Sequence, residues 1–179
     1  MIKKSILMAT AALTMLSVTV DAEEKDDFLG TLNDALVNSA GEKVNPDLKS
    51  KDYVAFYYSA AWCPPCRKFT PSLVKFYDEH KDKGNFELIL VSSDRDKKSA
   101  LGYMTKYNMN FPTVEFSKIK STNSKKFAGR GIPFLVVIDK EGKVVSTSAP
   151  KGKYRGCTPV MNELKELISA PAETAALTR

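Results

Sequence analysis

The sequence predicts an α/β domain in which helices cover both faces of a mixed central sheet. Three observations predict it. Runs of aromatic, β-branched and aliphatic residues at 53–60 (YVAFYYSA), 86–94 (FELILVSSD) and 133–139 (PFLVVID) read as strands, the first from the middle of a sheet. Helix-patterned segments follow the first two, giving strand, helix, strand, helix in chain order, as parallel strands require. The third run is followed by Lys140-Glu141-Gly142 and then KVVSTS (143–148), a tight turn and a returning strand, so the last pair is antiparallel.

Each element has its own signal. In DDFLGTLNDALVNS (26–39), Phe28, Leu29, Leu32, Leu36 and Val37 fall near helical spacing, and Gly41 ends that helix. A turn-rich stretch through Asn45 and Pro46 leads to the first strand. After it, KFTPSLVKFYDEHKDKG (68–84) repeats Phe69, Leu73, Phe76 and Tyr77 on one face, with Pro71 as a bend and Gly84 as the stop. KSALGYMTKY (98–107) carries Leu101, Met104 and Tyr107 on one side. NFPTVEF (110–116) is short and interrupted by proline, a loop or edge segment, and STNSKKFA (121–128) makes one or two helical turns. The last helix, TPVMNELKELIS (158–169), begins on a Thr158-Pro159 start signal and lines up Val160, Leu164, Leu167 and Ile168.

The ends of the chain read differently. Lys3 and Lys4 precede an unbroken apolar and small-residue run at 6–20, and Val20 and Ala22 stand where signal peptidase needs small residues, so a cut is expected after Ala22. The run is short for a membrane span and has no cationic stop after it. The expected organisation is a signal peptide at 1–22, a helical extension at 23–42, one domain at 43–170 and a flexible tail at 171–179. The expected location is the periplasm of a Gram-negative bacterium. The formal charge is +6, but lysines alternate with acids in DEHKDKGNFE (78–87) and SDRDKKS (93–99), which argues against a nucleic-acid stripe.

Chemistry concentrates in AAWCPPCRKF (60–69). A closed zinc site needs four ligands, and beyond Cys63 and Cys66 the soft candidates are His80 and Cys157, so no metal is expected. A bond across two residues staples little chain. A redox pair fits better. A strand ending at 59 or 60 and a helix beginning near Pro64 put Cys63 at a helix N-terminus, where unpaired N–H groups and the helix dipole favour thiolate. Cys66, one turn in, is shielded and suits a resolving role. Pro64 and Pro65 stiffen the turn, and Trp62 flanks the sulfur. In GRGIPFLVVID (129–139), Pro133 opens a strand. A cis bond after Ile132 would turn this loop toward the cysteines, although spacing alone leaves the isomer open.

The segment AFYYSAAWCPPCRKFTPSLVKFYDEH (55–80), the Gly131-Ile132-Pro133 loop and VVIDKEGKVV (136–145) together resemble the thioredoxin-like superfamily, most closely its tryparedoxin and nucleoredoxin branch. The resemblance implies a thioredoxin-like fold and dithiol–disulfide exchange. Cys63 attacks, Cys66 resolves, cis-Pro133 guides the substrate, and the Cys63–Cys66 disulfide is the redox centre without further cofactor. One position departs from thioredoxin proper: Tyr57 stands where a buried aspartate is expected, which leaves Tyr57, Glu87 and Glu115 as candidates for assisting proton transfer. The trypanothione chemistry of protozoan tryparedoxins does not carry over to an exported bacterial chain.

The function expected is therefore thiol–disulfide oxidoreduction on protein cysteines, as reductant or isomerase rather than oxidant. Trp62, Pro64, Ile132 and Phe134 would face the partner, an upstream membrane protein could donate electrons, and the chain would act as a monomer that binds no nucleic acid. A thiol peroxidase and a non-enzymatic adaptor are the competing classes. Cys157 is expected to be passive and out of reach of the pair, so that replacing it with serine leaves exchange intact.

Overall fold

In the structure, a computed structural model, residues 27–83 and 85–169 are described. The expected signal peptide, the first residues of the extension, Gly84 and the tail lie outside them. Six strands form one sheet: β1 (Leu36–Val37), β2 (Tyr53–Ser59), β3 (Phe86–Ser92), β4 (Thr113–Val114), β5 (Phe134–Asp139) and β6 (Val144–Thr147), in the order β1-β4-β3-β2-β5-β6. β2, β3 and β4 run parallel, while β5 pairs antiparallel with β2, β6 with β5, and β1 with β4. The helices are α1 (Phe28–Asn33), α2 (Pro64–His80), α3 (Lys97–Lys106) and α4 (Thr158–Ser169).

The period-2 alternation of the strands divides the core in two. Ala55, Tyr57, Leu88, Leu90, Leu135 and Val137 face Leu73 and Tyr77 of α2, Tyr103 and Met104 of α3, and Val160 and Leu164 of α4. Val54, Phe56, Tyr58, Ile89, Val91 and Val136 face the other way, onto Phe28 and Leu32 of α1, Leu48 and Ile119. Since β2 lies between β3 and β5, nearly all of it is buried, which is why its sequence reads as a continuous apolar run. At the hairpin, Gly142 sits at φ +81, and Asp139 Oδ1 accepts the N–H groups of Glu141 and Lys143. A left-handed glycine and an aspartate that caps its own turn explain why the chain reverses there.

Four expectations need correction. The helix read over 26–39 stops at Asn33, and Leu36 and Val37 form an edge strand against Val114 and Thr113. Phe28, Leu32, Leu36 and Val37 thus belong to the sheet and its core. The proline-interrupted 110–116 segment contributes β4, which lies inside the sheet between β1 and β3, not at its edge. Residues 121–127 form successive turns without becoming a helix. Finally, α2 ends at His80, short of the stop expected at Gly84; its start at Pro64 is the one expected, and it makes the cysteine motif the first turn of the helix.

Candidate active site

β2 delivers the chain to the carboxyl edge of the sheet at Ser59, and four residues later Cys63 caps α2. Its extended backbone (φ −87, ψ 108) is that of an N-cap residue, and its sulfur accepts the Cys66 N–H at 3.2 Å. The two prolines explain why this contact is singled out. The first turn of a helix exposes unpaired N–H donors, and Pro64 and Pro65 carry none. The first donor left is that of Cys66, and it points at Cys63 Sγ. The pair is joined in a disulfide with α-carbons 5.2 Å apart; Cys63 retains 3% of its surface and Cys66 none.

The turn is fixed from several sides. The Ala61 N–H donates to Asp94 Oδ1 at 2.9 Å, Asp94 Oδ2 accepts the Ser92 hydroxyl at 2.9 Å, and the Arg67 guanidinium donates to the Ala61 carbonyl at 2.8 Å. Trp62 is 58% exposed, yet its Nε1 donates to the Ser93 carbonyl at 3.2 Å, so the indole lies on the surface with a set orientation. Pro64 and Pro65 are also exposed.

Across from the turn, the Ile132–Pro133 peptide bond is cis, and the Ile132 carbonyl oxygen lies 3.8 Å from Cys63 Sγ. The next carbonyl, that of Pro133, accepts the Tyr154 hydroxyl at 3.0 Å. Gly131 is exposed, and a Cβ there would meet open space. Phe134, expected at the partner surface, is instead buried against Tyr58 and beneath Gly129, because it is the first inward residue of β5.

Beneath the pair lies a buried hydroxyl network. Thr70 Oγ1 donates to the Cys66 carbonyl at 2.9 Å, and the Tyr57 hydroxyl donates to the same oxygen at 3.3 Å. Tyr103 contacts Thr70 Oγ1 at 2.5 Å and Ser59 Oγ at 3.1 Å. One consistent set of donors runs from Ser59 through Tyr103 and Thr70 to Cys66. Burial pushes the Tyr57 phenol well above its ordinary range, so it remains protonated and serves as a donor that holds the first turn of α2, not as a proton acceptor.

The two glutamates are elsewhere. Glu115 is bound by Lys43 at 2.9 Å and by the Ser117 hydroxyl, contacts that hold its carboxyl below the usual range. Glu87 pairs in register with Val54, whereas Ser92 pairs with Ser59, so five residues of strand, about 17 Å, separate it from the cysteine end. It is buried, and its Oε1 accepts the Tyr77 hydroxyl and the Leu88 N–H, both at 2.9 Å.

Burial raises the Glu87 carboxyl above its ordinary value, only partly offset by those two donors and by Lys51. A raised folded-state value means that its contribution to stability is present in full below the ordinary glutamate pKa and is lost as pH rises through the raised one. Glu87→Gln, which keeps the acceptor, is therefore expected to melt a few degrees above the parent at pH 7.5, with the difference closing toward pH 4. Thermal denaturation at both values checks this, and a variant less stable at pH 7.5 would contradict it.

Sequence reasoning missed Asp94. In sequence it is only the last residue of a strand-like run, although a carboxylate at the carboxyl end of the strand beside the cysteine turn is a signal in itself. Cys157 is unpaired and buried, accepts the Ser148 hydroxyl at 3.5 Å, and is held above the ordinary thiol range by burial, which keeps it protonated. His80 stacks on Phe76, and its Nδ1 lies 2.8 Å from the Phe76 carbonyl. Among the described residues no three His, Cys, Asp or Glu side chains gather as a metal site.

Residues 51–144 match a family model described as thioredoxin-like. Probable nucleoredoxin 1 of Arabidopsis thaliana is 39% identical over 129 residues, which is 70% of this chain but 22% of that protein. Tryparedoxin of Trypanosoma brucei brucei is 35% identical over 117 residues, 64% of this chain and 79% of that one. Among solved structures, native tryparedoxin I from Crithidia fasciculata superposes with a TM-score of 0.62 at 31% identity, covering 82% of this chain and 95% of the other.

Proposed function

The chain belongs to the thioredoxin-like family, and from that premise we propose that it is a thiol–disulfide oxidoreductase acting on protein cysteines. The observation that carries this reading is the capping of Cys63 Sγ by the Cys66 N–H at the start of α2. In the dithiol form the same donor and the helix N-terminus favour sulfur as thiolate. The Cys63 thiolate attacks one sulfur of a substrate disulfide, forming a mixed disulfide and releasing the other sulfur as thiolate. Cys66 then gives up its proton and attacks Cys63 Sγ, which closes the internal disulfide and frees the second substrate thiol. Two electrons have passed from the pair to the substrate.

Reduction or isomerisation is the favoured direction, in keeping with relatives named tryparedoxin and nucleoredoxin. The basic start, apolar run and small residues at Val20 and Ala22 support export to the periplasm of a Gram-negative bacterium, where a monomer would be recharged by a membrane electron donor. Trp62, Pro64, Pro65 and Ile132 offer the partner surface.

Insulin-disulfide reduction driven by dithiothreitol, run beside hydroperoxide consumption, tests the activity. The expected result is catalysed insulin reduction; peroxide consumption alone would make the chain a peroxidase, and neither would leave an adaptor. A strongly oxidising potential for the pair would reverse the direction. Recovery of the native protein from spheroplasts, without release into the periplasmic fraction, would dispose of the proposed location.

A further inference from the structure

The cysteine turn stands at the carboxyl end of β2, and the next two strands along the sheet, β3 and β4, end at the same edge at Ser92 and Val114 and lead there into Asp94 and Phe116. Crevices outside the carboxyl ends of parallel strands are where such sheets take ligands. Here a cavity of about 490 Å³ opens, lined by Asp94, Phe116, Ile119, Lys120 and Lys125 together with Ser92. Phe116 and Ile119 make its walls apolar. Both oxygens of Asp94 are committed, one to the Ala61 N–H of the reactive turn and one to the Ser92 hydroxyl, so the carboxylate joins the cavity to the turn.

Charge decides what would enter. Lys120 and Lys125 are exposed and have no ion-pair partner among the described residues. Among the lining residues the two lysines stand against one acid, Asp94, whose oxygens already accept the Ala61 N–H and the Ser92 hydroxyl, and residues 115–130 carry Lys118, Lys120, Lys125, Lys126 and Arg130 against Glu115, whose carboxylate is bound by Lys43. We propose that this cavity is a specificity subsite for the substrate protein, accepting an acidic side chain next to an apolar one. Strands lie about 4.8 Å apart, so the cavity is on the order of 10 Å from the cysteine turn. An extended chain covers that in about three residues, which places the recognised acid about three positions from the substrate cysteine. The proposal rests on the exchange reading above and adds to it a preference among substrates.

Two measurements test it. The first is kcat/KM at low salt for disulfide-linked peptides with Glu-Leu or Lys-Leu three residues from the cysteine, for the parent chain and for Lys120→Glu/Lys125→Glu, with hydroxyethyl disulfide as a small neutral substrate. Two partly exposed ionic contacts are worth about tenfold. The parent chain is expected to favour the acidic peptide by about that factor, the double variant to favour the basic one, and hydroxyethyl disulfide to be turned over equally by both. The second is titration of the oxidised protein with the acidic peptide in which serine replaces cysteine, followed through Trp62, the one tryptophan of the sequence and hydrogen-bonded beside the cavity. Binding is expected to weaken about tenfold in the double variant. Indifference of the parent chain to peptide charge, a preference that survives the reversal, or equal binding by both chains would overturn the subsite. Failure of all disulfides to react, with charge-dependent binding preserved, would instead count against the exchange reading alone.

Discussion

Cys63→Ser is expected to reduce protein-disulfide turnover on the order of a thousandfold or more, because a hydroxyl at that position neither ionises near neutral pH nor forms the mixed disulfide. Cys66→Ser is expected to behave differently. It retains the attacking sulfur but has nothing to displace the substrate from it, so the chain should accumulate as a covalent adduct that runs as a larger species without reductant and is released by dithiothreitol. The difference follows from geometry: Cys63 sits at the cap and keeps a sliver of exposure beside the Ile132 carbonyl, while Cys66 is fully enclosed within the first turn of α2. Adducts that form through Cys66 in the Cys63→Ser chain would reverse the assignment. Normal cycling by Cys66→Ser with a monothiol excluded would show that resolution does not need the second sulfur.

Leu32→Ala is expected to cost about 2–5 kcal/mol, since the side chain is fully buried among Phe28, Leu36 and Leu48 on the second face of the sheet. A chain beginning at residue 43 should fare worse. It would lose Phe28, Leu32, Leu36 and Val37, each worth about 1.5–3 kcal/mol of burial, against a total stability of about 5–15 kcal/mol for a domain. It would also uncover Phe56, whose ring lies 6.0 Å from that of Phe28, and remove the antiparallel partner of β4. Circular dichroism melting measures both. The substitution should lower Tm by about 10 °C or more, and the truncated chain should lack a cooperative transition. A truncated chain that melts cooperatively near the parent temperature would restore the boundary at 43.

What was legible in the sequence had a repeat long enough to see. β2, β3 and β5 are strands of six or seven residues, nearly all of them buried, α2 and α4 span several turns with an apolar face, and the cysteine turn lies at a junction between a strand and a helix that residue type alone locates. The placement of Cys63 at the N-cap follows from the same local grammar, because prolines in the first turn of a helix are recognisable without knowing what surrounds them.

Other features belong to the tertiary structure because no local signal encodes them. β1 and β4 are two residues long, too short to show a period of two, and they exist as strands only through their pairing, β1 with β4 and β4 with both β1 and β3. The spacing of Leu32, Leu36 and Val37 satisfies a helix equally well, so the competition was settled by the open edge of β4. Phe134 reads as a surface residue next to Pro133 until the start of β5 turns it inward onto Tyr58. Tyr57, Glu87 and Glu115 are equivalent candidates as letters, but strand register separates Glu87 from the cysteines by the length of β3, Lys43 from 72 residues away occupies Glu115, and burial keeps Tyr57 protonated. Asp94 owes its place at the reactive turn to the parallel pairing of β3 with β2, which sets its carboxylate opposite the Ala61 N–H, 33 residues earlier in the chain. Composition and spacing act along the chain and can specify the reacting atoms; the groups that hold them and choose a partner come from other strands, and only their pairing brings those groups within hydrogen-bond distance.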